Sequence, residues 1–230
     1  MLGDSLESEN NSAIKIDKSV YSKTFFWMFL GLLATGIISV FTYMQISSNP
    51  ASEIVGFLPI VAVIEVAVVL IFSLLFRKLS PTAVTIIYFI YAAVNGVSLS
   101  TIFFAYKLNS IFSIFFVSAA VFLVFALIGK YTKIDLTKIG NIALMALLVC
   151  MIVSIINLFL DNGFVYSFID WIVLILFFGV TAYDMQKIKY LIEVEGTDKE
   201  KIHIYAAMEL YLDFINIFLR ILSIFGKRRD

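Results

Sequence analysis

Long apolar runs separated by short polar segments dominate this chain. A helix needs about 20 mainly apolar residues to cross the hydrocarbon core of a bilayer, so runs of this kind predict transmembrane helices. The connections are short, as in a compact bundle, and two of them contain the turn-forming sequences SSNPAS and DNG. Seven spans are predicted, over residues 25–46, 54–76, 82–106, 111–128, 139–160, 168–183 and 204–225.

The composition supports the same fold class. Hydrophobic residues make up 61% of the 230 residues and charged residues only 15%, whereas soluble domains are about 45–50% apolar. Residues 1–23 are polar and lack the basic start and small-residue cleavage site of a signal peptide. We therefore predict an all-α integral membrane protein, with a flexible cytoplasmic tail over residues 1–23 and a seven-helix transmembrane domain over residues 24–230.

Charge and cysteine content remove several function classes. The formal net charge is zero, so nothing indicates a nucleic-acid partner. The single cysteine, Cys150, lies in an apolar run and cannot form an intramolecular disulfide, and the chain holds only one histidine. The sequence predicts no organic cofactor and no enzymatic activity.

Lysine and arginine predict the orientation in the membrane. The tail and the loops after the second, fourth and sixth spans carry twelve basic residues, whereas the alternate loops carry only Lys107. Because basic loops stay on the cytoplasmic side, the amino terminus is predicted to be cytoplasmic. One feature disagrees: seven spans put the carboxyl terminus outside, yet residues 226–230 read GKRRD. Either the last segment does not fully cross, or it crosses against the charge rule.

The last span carries a polar stripe. Glu209, Asp213, Asn216 and Arg220 follow one another at spacings of 4, 3 and 4, which places them on one face of a helix. Such a stripe in an apolar helix points toward other helices or water. Two interpretations remain open. One is structural pairing of Glu209 with Asp213, with Asn216 or Arg220 near Asp213. The other, which we favour, is a functional polar core, because two carboxylates one turn apart resist simultaneous ionisation.

The sixth span carries Asp184 inside its basic end. At roughly 1.5 Å per residue, Asp184 lies roughly 21 Å from the outer end of its helix, toward the cytoplasmic side of a hydrocarbon core about 30 Å thick. Asp213 lies roughly 15 Å from the cytoplasmic end of the next, antiparallel helix. Measured from the same side, the two depths differ by about one helical turn, so the carboxylates are expected to face each other. The alternative is that Asp184 reaches the membrane interface beside Lys187.

Three further features are candidates for the same region. Glu65 stands alone near the middle of the second span and is a third candidate for the polar core. The small residues of NGVSLS, residues 95–100, favour close helix approach. His203, at the mouth of the last span, is interpreted as a surface residue.

Four stretches together resemble one family. TAYDMQKIK in the sixth span and ELYLDFINIFLRILSIFG in the seventh are similar to signatures of the Bax inhibitor-1 family. NGVSLS resembles its third-span motif, and LPIVAVIEVAVVL looks like the second span of its bacterial members. The resemblance covers nearly the whole chain beyond the tail. It implies a seven-helix fold whose polar last helix is central and enclosed by the other six, in a bacterial inner membrane.

The resemblance also implies an activity, a pH-sensitive calcium leak. Asp184 and Asp213 match the paired aspartates that share a proton, sense pH and bind calcium, and Glu65 matches a glutamate of the conducting path. Some bacterial members have a second-span arginine that latches onto the sixth-span aspartate. Here that position is Phe76, and Arg77 lies one residue on, about 100° around the helix. Arg77 is therefore a latch candidate with altered geometry.

Carboxylate chemistry is consistent with this mechanism. Two close carboxylates in a low-dielectric site titrate as a pair and can share one proton. Loss of that proton creates a doubly negative site suited to a hard, oxygen-seeking cation such as calcium. The implied partners are the lipid bilayer, calcium and protons.

Three other functions remain as alternatives. An intramembrane aspartyl protease has a Tyr-Asp motif like Tyr183–Asp184, but Asp213 lies in LYLDF rather than in a Gly-x-Gly-Asp motif, and no proline follows residue 81. A non-conducting regulator of cell death or membrane proteolysis would act through a membrane-protein partner. A proton-coupled transporter would also use an acid pair, although no inverted repeat supports it.

Overall fold

A computed structural model of the chain describes residues 2–48, 61, 64, 65, 67, 68, 78–194 and 199–229. The described part is helical, with one isolated antiparallel bridge between Tyr106 and Arg228. Its helices are α1 (Leu2–Ser48), α2 (Pro81–Leu99), α3 (Ile102–Ala105), α4 (Leu108–Tyr131), α5 (Thr137–Leu160), α6 (Gly163–Val194) and α7 (Lys199–Phe225).

Five helical stretches of the described part are long and apolar enough to cross a membrane. They are Val20–Ser48, Pro81–Ala105, Leu108–Tyr131, Thr137–Asn157 and Gly163–Ile188. These five overlap five of the seven predicted spans. The all-helical membrane class is therefore confirmed.

The other two predicted spans have different outcomes. The second, over residues 54–76, lies outside the described residues apart from five positions. The last is helical, as α7, but its charged residues exclude it from the helices that qualify as candidate spans by length and composition. The count of seven spans stays a prediction. Helix α1 already begins at Leu2, so it includes residues of the predicted tail, whose flexibility and cytoplasmic location also stay predictions.

Helix α7 is the most enclosed helix of the described part. It packs against α1, α2, α4 and α6. Small residues at Ala206 and Ala207 are fully buried, and they let neighbouring helices approach closely. Helix α5, in contrast, exposes apolar side chains along most of its length, as expected of a helix that faces lipid. The polar stripe of α7 is therefore kept away from lipid.

The carboxyl-terminal segment pairs with the chain between α3 and α4. The Lys107 amide donates to the Lys227 carbonyl at 3.0 Å, and the Arg229 amide donates to the Ala105 carbonyl at 2.9 Å. The Arg229 guanidinium also donates to the Tyr43 hydroxyl, near the end of α1. We call this end of the bundle the C-terminal face. The other end, where α4 finishes, is the opposite face.

This pairing bears on the sequence GKRRD. Residues 227–229 lie beside Lys107, on the side of the alternate loops, so α7 runs from the opposite face to the C-terminal face. Helix α7 therefore runs between the two ends of the bundle, whereas its crossing of the membrane against the charge rule stays a prediction. Which face is cytoplasmic stays a prediction.

The NGVSLS stretch brings α1 and α2 into close contact. A Cβ atom on Gly96 would lie 2.8 Å from the Thr35 carbonyl oxygen and 2.9 Å from the Ile38 Cβ atom. Only glycine fits this approach without displacement of the α1 backbone. The Thr35 hydroxyl also donates to the Ala92 carbonyl at 2.9 Å. The expected close helix approach at this motif is confirmed.

Candidate functional site

A buried cluster of charged side chains lies between α6 and α7. Its members are Asp184, Lys187, Glu209 and Asp213, and we call them the aspartate cluster. Asp184 is 8% exposed and Asp213 is 3% exposed. The two carboxylates are close enough to interact electrostatically, and both also interact with Glu209 and Lys187. The structure thus brings together the two aspartates whose similar depths predicted a pair, and neighbouring helices cover the side chain of Asp184.

Helix geometry explains why these four side chains meet. Asp184 and Lys187 are three residues apart on α6, and Glu209 and Asp213 are four apart on α7, so each pair occupies one face of its helix. The two helices pack against each other along these faces. One turn before Asp184, the Thr181 hydroxyl interacts with Asp213. The same hydroxyl donates to the Phe177 carbonyl at 2.8 Å, which fixes its position.

Lys187 is the cation of the cluster. Its Nζ atom lies 2.6 Å from Glu209 Oε1, and the two side chains are 26% and 18% exposed. The ammonium also lies 5.4 Å from the ring centroid of Tyr205 and 6.0 Å from that of Tyr183. Lys187 is one of the basic residues that follow the predicted sixth span. Its position three residues after Asp184 places it on the same face of the helix, but does not show that this face points inward.

Charge within the cluster is not balanced. The cluster contains three carboxylates and one ammonium, and Glu209 Oε2 and Asp213 Oδ2 are buried without a hydrogen-bond partner among the described residues. Buried charged groups without partners are costly in free energy. The arrangement is therefore suited to hold a proton or to accept a cation.

The cluster lies toward the opposite face. Gln186 lies two residues after Asp184. Its side chain accepts a hydrogen bond from the Leu136 amide and donates one to the Ile134 carbonyl, both at 2.8 Å. These partners belong to the connection between α4 and α5, which lies at the opposite face. The depth of the cluster in the membrane stays a prediction.

Arg220 and Asn216 do not join the aspartate cluster among the described residues. The Arg220 guanidinium pairs with Asp170 at 2.5 Å, and the Ser223 hydroxyl donates to the other carboxylate oxygen of Asp170. Asn216 donates to the Leu212 carbonyl of its own helix at 2.8 Å. The interpretation that either residue pairs with Asp213 is wrong. For Arg220 the reason is axial distance, because seven residues of helix separate it from Asp213 by roughly 10 Å.

Glu65 belongs to a second polar group. It interacts with the Ser98 hydroxyl and with Tyr91, and more weakly with Tyr211. Tyr211 precedes Asp213 by two residues, which is about 200° around the helix, so it points to another side of α7. Among the described residues, Glu65 is thus separated from the aspartate cluster, contrary to the expectation of one common core. Arg77, the latch candidate, lies outside the described residues.

His203 is buried, with 3% of its surface exposed. The interpretation of His203 as a surface residue is therefore wrong. It occupies the first turns of α7, which are covered on most sides, as the burial of Ile202 and Ile204 also shows. The sequence predicted the start of this helix but not how much of it the bundle covers.

Calcium usually takes six to eight oxygen ligands. Among the described residues, no group of three or more His, Cys, Asp or Glu side chains is arranged as a metal site. The described side chains nearest to such a site are the carboxylates of Asp184 and Asp213 with the Thr181 hydroxyl, and Lys187 lies beside them. The described residues accordingly do not form a full calcium cage in this packing.

Comparisons with known proteins agree with the signatures. A family model described as Inhibitor of apoptosis-promoting Bax1 matches residues 17–230. The chain is 36% identical to the Inner membrane protein YbhL of Escherichia coli over 212 residues, which cover 88% of this chain and 89% of the relative. It is 35% identical to an uncharacterized protein of Rickettsia prowazekii over 90% of this chain and 89% of the relative. An uncharacterized protein of Borreliella burgdorferi is 32% identical over 97% of this chain and 98% of the relative. The chain therefore belongs to the Bax inhibitor-1 family.

Proposed function

We propose that this protein is a pH-sensitive calcium leak channel of a bacterial inner membrane. In this proposal Asp184 and Asp213 share a proton, bind calcium in passage and control opening. The observation that carries it is the burial of two interacting carboxylates on facing helices, at 8% and 3% exposure. Neither carboxylate reaches bulk water in this packing, so a change in the charge of the pair changes the free energy of the packing itself.

The charge balance supports a proton-dependent switch. If every group of the aspartate cluster were ionised, three negative charges would face one positive charge in a region with little water. Like charges at close range resist simultaneous ionisation, and a shared proton removes part of the repulsion. Loss of that proton favours either entry of a cation or separation of α6 from α7. A free-energy difference of a few kcal/mol between the two packings is enough to change their populations.

The finer features of the fold belong to the same proposal. Six helices would enclose α7, the amino terminus would be cytoplasmic, and the aspartate cluster would lie near the cytoplasmic mouth. Glu65 and its partners Ser98 and Tyr91 would line another part of the path. Arg77 would be the candidate latch. The basic loops on one side and the enclosure of α7 by four described helices support this arrangement.

The proposal is tested by calcium entry into liposomes that contain purified protein and a trapped calcium dye. We expect entry above that of empty liposomes, with a rate that changes between about pH 6 and pH 8. An ionophore added at the end of each trace shows that the dye still responds. Absence of entry at every pH, with protein that is folded and inserted, would contradict the channel and favour a non-conducting regulator that acts through a membrane-protein partner.

A further inference from the structure

A cationic cavity opens at the C-terminal face. Its volume is about 710 Å³, and it lies between the first turns of α4 and the carboxyl-terminal segment. The described residues that line it bring three cationic side chains and no carboxylate. The cations are Lys107, Lys227 and Arg229, and Ser110 and Ser113 add hydroxyl groups. Such a lining fits an anion with several oxygen atoms.

Backbone hydrogen bonds fix these cationic residues in place. The Lys227 amide donates to the Ser110 hydroxyl at 2.9 Å, and its carbonyl accepts from the Lys107 amide at 3.0 Å. Arg229 is held by the hydrogen bond that its backbone amide donates to the Ala105 carbonyl. The cavity is therefore assembled by the chain, although its cations come from two segments more than a hundred residues apart.

An apolar groove adjoins the cavity. It has a volume of about 760 Å³ and runs between α1 and α4, with α7 at its floor. Side chains on its lipid-facing rims are strongly exposed, for example Phe41 at 61% and Phe116 at 70%. Arg229 connects the two features, because it lines the cavity and donates to the carbonyl of Phe103, which lines the groove.

We propose that an anionic phospholipid binds here, with its phosphate in the cationic cavity and an acyl chain in the apolar groove. The cavity alone would suit any phosphate. The groove favours a lipid, because it is apolar, opens toward the bilayer and meets the cavity at Arg229. Lys227 and Arg229, two of the three basic residues in GKRRD that disagree with the charge rule, line the cavity together with Lys107. The site also lies at the other end of the bundle from the aspartate cluster, so it does not depend on calcium conduction.

Native mass spectrometry of the purified protein, titrated with dioleoyl phosphatidylglycerol in detergent, tests the site. Dioleoyl phosphatidylcholine, which has the same acyl chains but no net charge, is the comparison lipid. We expect tighter binding of phosphatidylglycerol, and for Lys227→Gln/Arg229→Gln a loss of affinity on the order of tenfold or more, since two cations near a phosphate are removed. The matched control Lys133→Gln/Lys138→Gln removes two exposed cations from the opposite face and should bind like the unmodified protein.

A second pair of variants tests the groove. A Cβ atom on Gly36 would meet nothing within 4 Å, so Gly36→Trp can fill the groove without a backbone clash. We expect it to weaken phosphatidylglycerol binding several-fold, whereas Ile142→Trp, at a lipid-facing position of α5, should not. Circular dichroism and gel filtration check that each variant folds.

Several outcomes would overturn the proposal. One is equal affinity of the cavity variant and its opposite-face control, and another is equal binding of the two lipids. Competition by inorganic phosphate or by glycerol 3-phosphate as strong as by the lipid would show a free-anion site instead. If the double cavity variant does not fold, Lys227→Gln alone decides, because it leaves the hydrogen bonds of Arg229 in place.

Discussion

Replacement of Lys187 by methionine is expected to destabilise the protein by about 3 kcal/mol, because it leaves the carboxylates of the aspartate cluster without their cation. Lys187 and Glu209 form a short, largely covered ion pair at 2.6 Å. Methionine keeps most of the apolar stem of the side chain, so lost packing contributes little. In a chain of 230 residues this change lowers the midpoint of thermal unfolding by about 6–12 °C.

Adding Glu209→Gln to the Lys187→Met protein distinguishes the loss of stability caused by an uncompensated charge from the loss caused by altered packing. If the loss comes from an uncompensated carboxylate, Lys187→Met/Glu209→Gln should recover most of the stability, with a coupling energy of about 1–3 kcal/mol. Lys133→Met, at an exposed position of the opposite face, is the control and should change little. Thermal unfolding in detergent is measured for the parent and for the Lys187→Met, Glu209→Gln, Lys187→Met/Glu209→Gln and Lys133→Met proteins. A Lys187→Met protein as stable as the parent would show that the ammonium does not balance the cluster.

Gly129→Ala should produce the second large loss of stability. A Cβ atom at Gly129 would lie 2.0 Å from the Ala182 carbonyl oxygen and 2.7 Å from its carbonyl carbon. These are backbone atoms of α6, two residues before Asp184, so no side chain can rotate away to make room. Helix α4 must move from α6 to accommodate the methyl group, at a cost of about 3 kcal/mol or more.

Gly36→Ala is the matched control for this prediction. Gly36 is also a glycine within a membrane helix, but its Cβ atom would meet nothing within 4 Å. The substitution should be neutral, or stabilise α1 by up to about 1 kcal/mol through helix propensity. Equal thermal unfolding of the Gly129→Ala and Gly36→Ala proteins would mean that α4 and α6 do not approach as closely as the structure places them.

The pairing of the aspartates could be predicted because it depends on local rules. Carboxylates are rare in apolar spans, and helix rise alone gives similar depths for Asp184 and Asp213. Lys187 was missed, because the charge rule that orients the helices also explains a lysine at the end of a span. Spacing along one helix could not distinguish an inward lysine from one that points to water.

The partners of the other polar residues depend on how the helices pack. A stripe on α7 gives the direction of Arg220 but not the residue opposite it, and Asp170 lies two residues into a predicted span that was treated as starting at the surface. Glu65 was assigned to the same core as Asp213 because depth was known and angular position was not. The burial of His203 likewise depends on which helices cover the first turns of α7.

The aspartate pair itself is tested most directly by calcium entry into dye-loaded liposomes across about pH 6–8, with Asp184→Asn and Asp213→Asn compared with Asp161→Asn. Asp161 is exposed and has a left-handed backbone conformation that asparagine also adopts, so its variant removes a carboxylate without strain. Asp184→Asn and Asp213→Asn should each lower calcium entry about tenfold, as a barrier higher by about 1.4 kcal/mol gives, and should remove its pH dependence. Asp161→Asn should behave like the parent protein. A pH-dependent leak that survives both substitutions unchanged would show that Asp184 and Asp213 neither sense protons nor bind calcium.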